Sequence, residues 1–160
     1  MTYQTHPATR IGHVHLKVSD LARSVAFYRD VMGFSVTQHY GASAAFLAAG
    51  DYHHHIGLNT WHSEGTSPGP VRSPGLYHVA FLYPDRTALA RALSSVMKAG
   101  LTIDGAADHG VSEAIYFSDP DGNGIEIYCD HPEADWPRDA DGTLKMVNEP
   151  LDLDALLALA

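Results

Sequence analysis

Residues 13–34 read HVHLKVSDLARSVAFYRDVMGF, and residues 78–101 read HVAFLYPDRTALARALSSVMKAGL. In each stretch a histidine opens a short apolar alternation, an aspartate follows seven residues later (Asp20, Asp85), and a helical pattern runs to a glycine (Gly33, Gly100). The spacing predicts a helix from Leu21 with Val25, Tyr28 and Val31 on one face. It predicts a second helix from about Asp85 with Leu89, Leu93, Val96 and Met97 on one face. Asp20 and Asp85 suit the N-cap, where a carboxylate accepts an otherwise unpaired backbone N–H. Gly33 and Gly100 suit the C-terminal stop.

Working outward, each helix is followed by three short strand patterns. They are FSVTQHY, AAFLAAG and HHHIGLNTW in the first half, and LTIDGAA, EAIYFSD and GIEIYC in the second. The turn DPDGNG (119–124) is a hairpin signal rich in residues that accept positive φ. The expected fold is therefore α+β, with two βαβββ modules in tandem. The chain divides into module one (11–61), a Pro/Gly-rich linker (62–75), module two (76–131) and a tail with a short Leu-rich helix (132–160), all within one domain.

Composition narrows the function. At 160 residues, 45% apolar and 18% charged, the chain is long enough to bury a real core. Nineteen acidic against ten basic residues leave a net charge of −9, which argues against nucleic acid and anionic membrane as partners. One cysteine, Cys129, excludes an internal disulfide and fits a cytoplasmic protein; it reads as a small buried hydrophobe. The N-terminal stretch lacks the apolar core of a signal peptide, and no run reaches the length of a membrane span. Histidine, at eleven, outnumbers Lys and Arg together. Imidazole is a common metal ligand and proton carrier near neutral pH, so the chemistry is sought there.

Superimposing the last strands of the halves sets Ile56–Gly57–Leu58 on Ile125–Glu126–Ile127. Glu126, a carboxylate between apolar residues, needs a partner to offset its desolvation. The repeat thus defines four equivalent positions: His13, Gly57, His78 and Glu126. Two histidines and one carboxylate with open positions form the ligand set of non-haem Fe(II) oxygenases. His15, two residues on and on the same strand face, competes with His13 as the first ligand, and the repeat position favours His13. The blank at Gly57 is expected to leave room for substrate and oxygen.

With these motifs in place, the chain resembles the vicinal oxygen chelate superfamily of glyoxalases, fosfomycin-resistance proteins and extradiol dioxygenases. The resemblance spans about residues 11–131 and rests on HVHLKVSDLARSVAFYRDVMGF, GLYHVAF and DPDGNGIEIY. Within it, HHHIGL resembles the stretch that carries a catalytic histidine in extradiol enzymes, which implies that role for His54. HGVSEAIY resembles their segment before the final hairpin, which implies roles for His109 and Tyr116, although some of these enzymes have two more residues between the two. His53, His55, His39 and His62 read as surface or supporting residues.

The resemblance implies an extradiol ring-cleaving dioxygenase that uses Fe(II), or Mn(II) or another divalent metal, on a catechol-type diol with O2. It also implies a homodimer, and a fold in which the tandem modules form a curved mixed sheet around the metal site. In this reading His54 acts as general base and acid, while His109 and Tyr116 hydrogen-bond a substrate oxygen. The alternative is a fosfomycin-resistance-like transferase or isomerase on the same ligands. That enzyme would need neither His54 nor Tyr116, and would want cationic side chains that this chain has in short supply.

Overall fold

The structure, a computed structural model, describes residues 2–70 and 72–160; Val71, within the expected linker, lies outside the described residues. The first half contains β1 (Val14–Lys17), α1 (Leu21–Ala26) running into a π-helical turn (Phe27–Val31), β2 (Ser35–Tyr40), β3 (Ala44–Ala48) and β4 (Ile56–Asn59). The second contains β5 (His78–Leu82), α2 (Arg86–Lys98), β6 (Gly105–Asp108), β7 (Ser112–Ser118) and β8 (Gly124–Asp130). The tail adds β9 (Glu149–Pro150) and α3 (Leu153–Leu157).

Two mixed sheets result, ordered β1-β4-β3-β2 and β5-β8-β7-β6-β9. In each, the first strand lies parallel to the last strand of its module, and the other ladders are antiparallel. The two halves match in register: His15 faces Gly57 across the β1–β4 ladder, and Ala80 faces Glu126 across the β5–β8 ladder.

The helix ends behave as their residues dictate. Asp20 accepts the Arg23 N–H at 3.0 Å and Asp85 the Ala88 N–H at 2.8 Å. Gly33 and Gly100 both adopt positive φ, the left-handed conformation that costs glycine least. Leu89, Leu93 and Val96 are fully buried, whereas Met97, expected on the same face, is largely exposed. The apolar stripe of α2 is narrower than the sequence pattern suggests.

A single apolar core joins the halves, with Tyr28, Leu47, Ile56 and Leu58 from the first and Leu93, Ile115, Ile125 and Ile127 from the second. Leu156 of α3 is buried in the same core, so the tail helix covers the domain itself. Phe34 and Phe81 rings meet at 5.2 Å, and the Ser95 hydroxyl donates to the Val31 carbonyl at 2.7 Å.

The 119–123 turn locks the assembly. Asp119 accepts the buried Tyr28 hydroxyl at 3.0 Å. Asp121 accepts Arg23 Nη2 at 2.7 Å and also bonds the hydroxyls of Ser19 and Ser24. The halves are thus tied by α1, α2 and this turn. Among the described residues no ladder joins β1 to β5, so each strand ends its own sheet. No helix of the described residues is long and apolar enough to cross a membrane.

Candidate metal centre

The six candidate residues fall into two groups. In the second half, Glu126 projects from β8 beside His78, the first residue of β5, with Nε2 to Oε2 at 2.9 Å. The Tyr116 hydroxyl on β7, directly across the ladder from Glu126, lies 3.3 Å from Oε1. His109 Nε2 lies 2.8 Å from the same hydroxyl. Its other ring nitrogen, Nδ1, lies 3.0 Å from the Val147 carbonyl. Burial, reinforced by the Glu126 charge, pushes the Tyr116 phenol up to about 12, so it stays protonated. His78, Glu126, Tyr116 and His109 form one continuous chain of contacts.

The first-half residues cluster differently. His13 lies just ahead of β1, and its ring is 4.5 Å from that of His54. The His54 ring packs on Phe46 at 5.0 Å, and its Nδ1 is 2.8 Å from His53 Nδ1. Some burial, then the neighbouring His13, His53, His15 and His55, lowers the pKa of His54. Burial and His13 do the same for His15. Both rings therefore favour the neutral form, in which an imidazole can accept a proton.

Two expectations need correction here. The histidines of HHHIGL do not belong to a strand, because β4 starts at Ile56. Strand alternation therefore does not direct them, and His53 and His54 turn their Nδ1 atoms toward each other. His55 instead accepts the Ala49 N–H at 3.2 Å and packs on Tyr52 at 4.8 Å, a supporting role. Nor is the position beside Gly57 empty. The His15 ring, flanked by Phe46 and Trp61, lies across it, and a Cβ at residue 57 would sit 2.9 Å from His15 Cγ.

The structure brings His78 and Glu126 together, but His13 with these two does not form a group whose ligand atoms all lie within 4.8 Å. Among the described residues the one such group is Asp108, Glu113 and His131. It escaped the sequence reading because it arises from cross-strand register, Asp108 facing Glu113 on the β6–β7 ladder. Its charges are already partnered: Arg86 Nε pairs with Glu113 at 2.7 Å and His131 Nε2 with Asp108 at 3.1 Å. Burial alone would raise the Asp108 pKa, but the Gly110 N–H and His131 outweigh it and the carboxyl is held low. Cys129 on β8 is buried, and its thiol is pushed up to about 11 by burial and then by Glu113, so it packs as an inert hydrophobe.

The donor set suits a divalent ion. The Glu126 side chain is only 12% exposed and pairs with an imidazole rather than a Lys or Arg, with Oε2 toward His78 and Oε1 toward Tyr116. A site of neutral imidazole and carboxylate is the donor chemistry of Fe(II) and Mn(II). Two open clefts of about 540 and 340 Å³ run along α1, and neither is lined by any of the six candidates.

Comparison with known proteins adds the lineage. The chain is 41% identical over 153 residues to a catechol-2,3-dioxygenase of Bacillus subtilis, covering 95% of this chain and 52% of that protein. It is 31% identical to a metapyrocatechase of Geobacillus stearothermophilus, over 74% of this chain and 34% of that one. It thus spans about half, or less, of the length of these relatives. Among solved structures, a glyoxalase/dioxygenase from Nostoc punctiforme superimposes with a TM-score of 0.65 at 22% identity, covering 82% of this chain and 99% of that one, a likeness of fold. The profile of the Glyoxalase/Bleomycin resistance protein/Dioxygenase superfamily matches residues 10–127. The chain belongs to that superfamily, the vicinal oxygen chelate fold, whose repeat its two modules display.

Proposed function

We propose that the protein is an extradiol ring-cleaving dioxygenase that acts on a catechol-type diol with O2. Its divalent ion would be Fe(II), with Mn(II) the competing choice, and His13, His78 and Glu126 would hold it. The observation that carries this reading is the contact chain His78–Glu126–Tyr116–His109, which sets a phenol and an imidazole beside the paired carboxylate. A phosphonate transferase would have no use for that phenol and imidazole. Among the described residues no Lys or Arg bonds to His78, Glu126, Tyr116 or His109. The relatives named as dioxygenases support the same choice.

Bound there, the metal would supply a Lewis-acid anchor for both diol oxygens and a neighbouring position for O2. The chain's own residues supply the rest. His54, kept neutral by partial burial and by its imidazole neighbours, accepts a hydroxyl proton from the substrate and returns it later. Tyr116, backed by His109, orients a substrate oxygen, and Phe46 packs against the His54 ring and holds it in place.

We also propose a homodimer. His13 and the His78–Glu126 pair lie at the starts of β1 and β5, each an end strand with one unpaired edge. Tyr77 and Leu82 on the β5 side are exposed, at 88% and 56%. A two-fold pairing of β1 from one copy with β5 of the other would cover both edges and complete two ligand sets, the self-complementary arrangement of cyclic dimers. The test of function is anaerobic loading with Fe(II), then catechol and oxygen. A yellow ring-cleavage product is expected, and iron bound stoichiometrically without product would refute the reading.

A further inference from the structure

The tail beyond residue 131 lies outside the span of the superfamily profile, yet it reaches the candidate centre. Residues 137–147 fold back on themselves: the Asp139 N–H donates to the Thr143 carbonyl at 2.9 Å and the Lys145 N–H to the Pro137 carbonyl at 2.8 Å. The segment then seats on the 108–110 turn. The Val147 N–H donates to the His109 carbonyl at 3.0 Å, and β9 pairs with β6 through Glu149 opposite Asp108. Gly110 makes the approach possible. Its φ is +72°, and a Cβ there would sit 2.8 Å from Pro137 Cγ and 3.1 Å from Val147 Cγ2. Beyond β9, α3 is anchored by the buried Leu156, so the strap is held at both ends.

The strap returns a carbonyl to the His109 ring. Val147 O lies 3.0 Å from Nδ1, and a carbonyl only accepts, so Nδ1 carries the hydrogen. In a neutral ring Nε2 is then a bare acceptor. Tyr116, 2.8 Å from Nε2 and 3.3 Å from Glu126 Oε1, has one proton to give, and the shorter contact takes it.

We propose that the C-terminal strap is a positioning element in which the Val147 carbonyl holds His109 in its Nδ1–H tautomer. Tyr116 thereby turns its proton away from Glu126 and meets the substrate as a hydrogen-bond acceptor. A diol that keeps one hydroxyl protonated can donate to Tyr116 in this arrangement. The opposite tautomer would make Nε2 the donor and turn the phenol into a donor toward the substrate. The function assigned to the strap rests on the proposed dioxygenase reading; the tautomer itself does not.

The experiment replaces Asn148 by its α-hydroxy analogue, so that the Val147–Asn148 amide becomes an ester whose carbonyl is a weaker acceptor. Ring ¹⁵N shifts of His109, identified by their loss in His109→Phe, are recorded on the metal-free protein well above the ordinary histidine pKa. The native chain should show Nδ1–H, and the ester chain should gain Nε2–H. Val147→Ala, which keeps the carbonyl, should match the native tautomer. In the iron-loaded enzyme the ester should lower kcat about two- to tenfold, the worth of one hydrogen bond, with KM for catechol little changed. An Nε2–H ring in the native chain, or a tautomer unmoved by the ester, overturns the strap. A shifted tautomer with unchanged kcat overturns its part in the reaction. Absence of ring cleavage in the native enzyme would instead sink the dioxygenase reading and leave the tautomer result standing.

Discussion

The two halves occupy the same register but solve it differently. Where β8 places Glu126, β4 places Gly57, and each faces the residue two beyond its module's first histidine. In the second half the carboxylate gathers its neighbours: His78 pairs with one oxygen, the Tyr116 hydroxyl lies 3.3 Å from the other, and His109 reaches the group through Tyr116. In the first half Gly57 supplies no carboxylate at that position, and the histidines pack against one another and against Phe46 and Trp61. His15 spreads its ring over the glycine. One duplicated module thus carries the charge that fixes geometry, and the other supplies neutral imidazoles and apolar surface.

The comparison breaks most severely at Glu126. Glu126→Ala should reduce bound iron to background and abolish turnover, because the organising charge of the second half is gone. Metal analysis of the purified variant checks this, and stoichiometric retention would show that Glu126 is not a ligand.

Next comes the pairing of the halves. Inactive His13→Ala and inactive His78→Ala chains, unfolded together and refolded, should recover about a quarter of native activity, since half of the dimers are mixed and each restores one of two sites. No recovery from well-folded mixed dimers would place both halves of the site in one chain.

A smaller effect is expected at His54. His54→Phe should leave iron bound and slow single-turnover ring opening by about 10²–10⁴-fold, while His55→Ala, at a packing histidine, should cost stability more than rate. Equal losses in the two variants would return the triple histidine to a solvated loop.

Smallest is Gly57→Ala. The added methyl meets His15, and overpacking of this kind costs about 1–3 kcal/mol. In a His15→Ala background the cost should largely vanish. Denaturant midpoints for the four proteins of this cycle measure the coupling; additive losses would mean that His15 does not cover Gly57.

What was legible in the sequence is what repetition and local chemistry encode. Two matching stretches set the strand register that places Glu126 opposite Ala80, and Asp20, Asp85, Gly33 and Gly100 act at the helix ends where their side chains or conformations demand. What stayed hidden depends on contacts distant in sequence. The three histidines look like the start of a strand, but Gly50 turns with φ +60° and Tyr52 stacks on His53, so the ladder begins only at Ile56. The rotation of His15 over Gly57 is a packing outcome with no sequence sign. Asp108, Glu113 and His131 meet only because β6, β7 and β8 are neighbours. The grip of Val147 on His109 is made by a backbone carbonyl, an atom every residue carries.

The most direct measurement is a crystal structure of the Fe(II)-loaded protein grown without oxygen. The account predicts one ion at each His78–Glu126 pair, with His13 of a second copy as the third ligand and open positions facing His54 and Tyr116. An ion held instead by Asp108, Glu113 and His131, or one bound at His78 and Glu126 with no histidine from the first half, would contradict it.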